Sequence, residues 1–217
     1  MSRHFPVAQP ALAFTASQLL GQAGNTNRSL YVAEVLRKRV PNRLPAALLP
    51  TVFRRLLFPF RYSYPILRES NQRGTDPFLL AAVIREESRF DPQAFSAASA
   101  RGLTQFVLPT ARRVAATIGL PRLDAEDLHR PEVSITLGAA YLAELGERFA
   151  GKTAPTIAAY NAGEPQAELW QRYCKTDEPE EYLAKIAFGE TRAYVVKVLT
   201  SQANYAELYG AGAEGVP

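Results

Sequence analysis

Proline and glycine cut this chain into helix-sized pieces, and that punctuation constrains the fold more than any other feature. Sixteen prolines and thirteen glycines fall mostly where apolar runs begin or end, and the period-two alternation of strands is scarce. A helix over 11–22 stops at Gly24-Asn25. A second over 28–39 is capped by Thr26-Asn27 and broken by Pro41 and Pro45. Further helices are expected over 48–57 and 64–73, closed by Pro59 and Gly74. The next start is the sharpest: Asp76 is an N-cap, Pro77 is the first helical residue, and Asp91-Pro92 ends the run. Helices over 109–118, 131–149, 154–161, 165–173, 179–186 and 191–209 complete an all-α reading. The 131–149 segment carries Val133, Leu137, Tyr141, Leu142, Leu145 and Phe149 on one stripe.

Composition enters as a set of exclusions. With 47% hydrophobic and 21% charged residues, the chain can bury a core and is not wholesale disordered. Its 217 residues suit one domain, or a domain with an appendage. There is no internal repeat, no low-complexity tract and no apolar run long enough for a transmembrane helix. Pro10, Thr15, Ser17 and Gln18 interrupt the apolar stretch near the start, so no signal peptide is expected. Cys174 is the single cysteine, which excludes an internal disulfide and a cysteine-built zinc site. His4 and His129 are too few and too far apart for a metal site, with His129 read as a loop residue; neither metal nor cofactor is expected.

The net charge of +4 hides a division. Residues 1–75 hold eleven Arg or Lys against only Glu34 and Glu69, a net +9, and residues 76–217 hold fourteen basic against nineteen acidic residues, a net −5. Basic stretches invite a nucleic-acid reading, but Arg37-Lys38-Arg39 and Arg54-Arg55 read better as solvated helix faces, and no nucleic-acid partner is expected.

Chemistry is expected in the acidic part. Glu87 lies in the last turn of the helix that starts at Pro77. A carboxylate is disfavoured at the negative end of a helix dipole, and Val83, Ile84 and Phe90 offer it apolar surroundings, which raise a carboxyl pKa. Both effects favour a protonated acid near neutral pH, as protonation of a glycosidic oxygen requires. Taken alone, the segment also fits a solvent-facing Glu. Glu86 points elsewhere and reads as surface.

Four blocks in order sharpen this reading. They are Glu87-Ser88, then Gly102-Leu103-Thr104-Gln105, then Ala159-Tyr160-Asn161-Ala162-Gly163, and finally Glu190-Thr191-Arg192-Ala193-Tyr194-Val195. Leu128-x-x-Pro131 and Gly138-x-x-Tyr141-Leu142 stand between them. Across residues 75–209 the chain resembles the catalytic domain of soluble lytic transglycosylases, enzymes that cleave the glycan of peptidoglycan. The resemblance implies a lysozyme-like α-domain with a long groove over residues 75–209. It also implies an N-terminal helical linker or appendage over 1–74; a flexible tail is expected over 210–217. By the same resemblance Glu87 is the catalytic acid and base, and Ser96 contacts the substrate's N-acetyl group. Gln105 lies in the sugar cleft, Tyr160 lies near the reacting centre, Asn161 is a further substrate-binding residue, and Glu190 is a cleft-side carboxylate. The implied partner is the peptidoglycan glycan strand, with peripheral association with the wall or envelope, and the implied location is the periplasm or envelope. Two alternatives stay open: a lysozyme-type hydrolase, and a weakly active glycan-binding module.

The chain departs from the family pattern at Thr104, where the family has methionine, and at Ser99 and Ser134, where glycine and asparagine are usual. It departs again at Glu164, with proline delayed to Pro165, and at Ala187 after Ile186. Thr104, shorter and more polar than methionine, is expected to alter the shape of a sugar subsite. Tyr141 and Tyr194, on apolar stripes, read as core. Trp170 suits packing at least as well as sugar stacking. Phe58, Phe60, Tyr62 and Tyr64 are expected to pack the N-terminal region onto the catalytic part.

Overall fold

A computed structural model describes residues 9–41 and 44–210. Residues 211–217 of the expected tail, and His4, lie outside the described residues. Among the described residues the architecture is all-α. In chain order the helices are α1 (Pro10–Gln22), α2 (Thr26–Arg37), α3 (Thr51–Leu57), α4 (Ser63–Arg73), α5 (Pro77–Ser88) and α6 (Leu108–Thr117). They continue with α7 (Pro131–Arg148), α8 (Thr153–Ala162), α9 (Glu164–Arg172), α10 (Pro179–Lys185) and α11 (Gly189–Tyr209). Short 3-10 turns cover Ala46–Leu48 and Ala125–His129, so His129 closes a turn rather than lying in open loop.

Through most of its length helix α5 is apolar on every face: Leu79, Leu80, Ala81, Ala82, Val83 and Ile84 are all buried. Such a helix has no face to offer water and must sit centrally. Helix α11 packs along it, with α4 and α7 against its other faces. The stripe that α11 buries, Thr191, Val195, Val198, Ser201 and Tyr205, recurs every three or four residues. The start of α5 is built as its sequence demands, with the Asp76 side chain accepting the Phe78 N–H at 2.8 Å and Pro77 in the first turn.

The N-terminal helices are joined to this core. Buried Ser17 and Ser29 cross-link α1 and α2, each hydroxyl donating to the other residue's carbonyl at 2.9 and 2.7 Å. The expected helix over 48–57 is in fact two pieces. Pro50 has no N–H to donate and holds Leu49 in extended backbone, so a 3-10 turn ends before it and α3 starts after it. Arg54, expected on a solvated face, is buried, because its guanidinium bonds Glu207 of α11 at 2.8 Å. Phe58 and Phe60 pack on Tyr205 at 5.9 and 6.0 Å, and Phe60 also meets Phe78 and Tyr209. Tyr64, expected in this cluster, is instead 73% exposed.

Candidate active site

Glu87 lies one residue before the end of α5. It is half-buried, and its Oε1 accepts a 2.6 Å hydrogen bond from the Tyr194 hydroxyl of α11. Burial raises its pKa from 4.5 to about 7; the Tyr194 bond opposes the rise and the neighbouring Glu86 adds to it. A carboxyl in this state exchanges protons near neutral pH and can serve as acid and then as base.

The residues that face Glu87 arrive on a constrained loop between α5 and α6. Antiparallel bridges pair Phe95 with Arg101 and Arg101 with Phe106. Gly102 makes the turn possible: at φ 76° it lies in left-handed backbone, and a Cβ there would sit 1.8 Å from the Leu128 carbonyl oxygen. Ser99 and Gln105 are also left-handed, at φ 62° and 51°. The Gln105 amide holds its own turn by donating to the Gly102 and Ala94 carbonyls at 2.9 and 3.2 Å. Ser88, beside Glu87, ties the loop to α5 by donating to the Leu103 carbonyl at 2.8 Å. Together these bonds bring Ser96 and Gln105 to the pocket that contains Glu87. The pocket encloses about 420 Å³, and Glu34, Arg89, Phe95 and Lys197 complete its walls. Concavities of about 540 and 570 Å³ lie elsewhere, but neither gathers any of these groups. The Ser96 oxygen accepts the Ala100 N–H at 3.1 Å, and its proton has no acceptor among the described residues.

Tyr160, near the end of α8, donates its hydroxyl to the Thr104 carbonyl at 2.8 Å and packs edge-on against Phe106. Burial first, and the nearby Glu87 second, hold its pKa well above the ordinary tyrosine value, so it remains protonated. Asn161 is exposed at the end of α8, and Glu190 is exposed in the first turn of α11. Neither lines the Glu87 pocket, although Glu190 stands one helical turn before Tyr194. Among the described residues no three His, Cys, Asp or Glu side chains converge to hold a metal.

Three sequence expectations need correction. Tyr194 is not simply core: its ring lies among apolar neighbours, but its hydroxyl reaches the catalytic candidate across 107 residues of chain. A signal existed, since a tyrosine on a buried stripe must find a partner for its hydroxyl. Glu86 is not a surface group. It accepts the Ser201 hydroxyl at 2.8 Å and pairs with Arg85. Thr104 forms no pocket wall: it is fully buried, its N–H and hydroxyl bonding Ser134 at 3.1 and 2.8 Å, and its methyl packs toward Gly138. Two departures from the family pattern thus satisfy one another. Trp170 is also buried, edge-on to Phe188 at 5.3 Å.

With this geometry in view, likeness to known proteins is informative. Residues 65–183 match the family described as SLT, transglycosylase SLT domain. The membrane-bound lytic murein transglycosylase F of Maricaulis maris is 38% identical over 132 residues, covering 58% of this chain and 24% of the relative. The soluble lytic murein transglycosylase of Escherichia coli K12 is 28% identical over 155 residues, covering 70% of this chain and 24% of the relative. The crystal structure of the 70 kDa soluble lytic transglycosylase of Escherichia coli superposes with a TM-score of 0.82 at 22% identity, over 96% of this chain and 32% of that one. That likeness shows a shared all-α fold and takes in the N-terminal helices as well as the part that carries Glu87. The chain spans about a quarter of the length of these curated relatives.

Proposed function

The chain belongs to the transglycosylase SLT family, and on that premise we propose that it is a peptidoglycan lytic transglycosylase. It cleaves the β-1,4 bond between N-acetylmuramic acid and N-acetylglucosamine without water and leaves a 1,6-anhydro end. The observation that carries this reading is the Glu87 carboxyl, with its pKa near 7, in one pocket with Ser96 and Gln105.

The chemistry follows from that carboxyl. Protonated Glu87 gives its proton to the glycosidic oxygen as the bond breaks, while the substrate's own N-acetyl carbonyl attacks the anomeric carbon. The carboxylate left behind then takes the proton of the sugar's C6 hydroxyl, whose oxygen closes the anhydro ring and releases the acetamido group. A nucleophile already attached to the substrate removes the entropic cost of recruiting one. Ser96, whose proton has no acceptor among the described residues, donates to the acetamido oxygen. Tyr160 braces the site from α8 through the Thr104 carbonyl, Gln105 holds the sugar cleft, and Asn161 and Glu190, outside the Glu87 pocket, take more distant substrate contacts. Glu34 and Glu86, the other carboxylates on the pocket, are both committed to Arg85. That favours a substrate-assisted path over one needing a second free carboxylate. The partner is then the glycan strand, and the place of action is the periplasm or cell envelope.

Digestion of purified sacculi tests the reading. Anhydro-muropeptides in the mass spectrum are expected; products heavier by one water would instead identify a hydrolase. Turnover should fall as pH rises through about 7, because the acid form of Glu87 is lost there.

A further inference from the structure

The turn that follows Glu87 is strained, and a helix distant in sequence grips it. Arg89 and Phe90 are both left-handed, at φ 53° and 62°, a conformation uncommon outside glycine and rarer twice in succession. Left to itself such a turn would relax. Two residues of α2 restrain it. The Glu34 carboxylate spans both arginines that flank Glu87, at 3.1 Å to Arg85 and 3.2 Å to Arg89. Seven residues earlier, and so on the same face of α2, Asn27 donates to the Asp91 carboxylate at 2.8 Å. The other oxygen of Asp91 accepts the Gln93 N–H at 2.9 Å, where the chain enters the Ser96 loop. Arg85 is fixed again by the Leu57 carbonyl at 2.9 Å and by the Phe58 ring at 4.9 Å.

We infer that Asn27 and Glu34 are positioning residues for the reaction: they clamp the strained turn at the end of α5, so that the Glu87 carboxyl and the Ser96–Gln105 loop face one pocket. The inference rests on Glu87 being the acid. It adds to the basic N-terminal region a part in catalysis that its sequence motifs do not suggest. Glu34 also offsets the two guanidinium charges beside Glu87. The remaining polar groups toward Glu87 are Glu86 on α5, Tyr160 on α8, and Tyr194 and Lys197 on α11; the 94–106 loop contributes the uncharged Ser96 and Gln105. Removal of the Glu34 charge takes the countercharge from Arg89 and leaves Arg85 to Glu86 alone, so the two guanidinium groups favour the Glu87 carboxylate more and the loss of activity moves to lower pH.

The test is steady-state kinetics of the full chain on soluble glycan strands, with Glu34→Gln, Glu34→Asp, Asn27→Ala and the double variant Asn27→Ala/Glu34→Gln. Glu34→Gln should lower kcat by about tenfold or more, with a smaller change in KM, and shift the alkaline limb of the pH profile downward. Glu34→Asp keeps the charge and should keep the position of that limb. Asn27→Ala, which leaves the charge pairs intact, should lower kcat without moving the limb. Thermal unfolding separates folded variants from damaged ones. If Glu34→Gln does not fold, Glu34→Asp and Asn27→Ala decide the matter, and wild-type kcat in both overturns the clamp. Wild-type kcat and an unmoved limb in folded Glu34→Gln and in the double variant would overturn it as well. Glu87→Gln is assayed alongside: if it is active, the acid assignment itself fails, whatever Glu34 does.

Discussion

Helix α5 keeps Leu79 to Ile84 in the core, each at most 8% exposed, and then within five residues carries two arginines, two glutamates and a left-handed turn. The first part is held chiefly by apolar packing on every side. The last turn is held by hydrogen bonds and ion pairs from α2, α11 and the last residue of α3, Leu57. The contrast explains how a chain can keep a half-buried carboxyl at a pKa near 7. Desolvation is an energetic burden, and strain after Glu87 adds to it; both are sustained because the preceding helix cannot move without opening the core.

Four substitutions probe the two parts of α5, in falling order of effect. Glu87→Gln should reduce release of soluble muropeptides by about 10²- to 10⁴-fold, the usual worth of a general acid. It should also stabilise the fold at high pH. A carboxyl whose pKa is raised on folding holds its proton more tightly in the native state, so wild-type stability declines from pH 4.5 upward and the full penalty is present above about 7. Denaturant titrations at pH 4.5 and pH 8 should therefore show the variant gaining up to about 3 kcal/mol only at the higher pH.

Leu80→Ala tests the packed part. Leu80 is fully buried and faces Gly138 of α7, and its truncation should cost about 2–5 kcal/mol in urea unfolding. Variants that lose less would mean that the core around α5 can collapse onto the gap. Tyr194→Phe touches the polar turn without opening the core. It removes a hydrogen bond that lowers the Glu87 pKa, so the alkaline limb of activity should move upward, with a loss of about 1.5–3 kcal/mol of interaction with the charged form. An unmoved limb would show that Tyr194 is only packing. Asp76→Ala removes the cap at the other end of α5 and should cost about 1 kcal/mol, read as a lower Tm with unchanged kcat in the folded protein.

Legibility from sequence followed the range of the forces involved. The start of α5 was readable because Asp76 caps an N–H two residues away, and the position of Glu87 in its last turn followed by counting. The split of the 48–57 segment is not legible even with Pro50 in its middle, since the apolar pattern on either side runs on in phase. Thr104 and Ser134, thirty residues apart, each looked like a departure taken singly; only their 2.8 Å contact makes them a matched pair. Likewise a stripe of apolar residues assigned Tyr194 to the interior and left open what its hydroxyl would meet.

By itself, then, the sequence determined an all-helical chain, the ends of its central helix and the carboxyl carried at that helix's last turn. Those features depend on dihedral preferences, caps and periodicity, which act within one or two turns. Tertiary structure alone decided that Tyr194 bonds Glu87, that Ser201 engages Glu86, that Glu34 spans Arg85 and Arg89, and that Asn161 and Glu190 stand outside the Glu87 pocket. The physical reason is that side-chain contacts across 51 to 115 residues depend on how helices register against one another. That register is set by the packing of the whole core, and no local pattern records it.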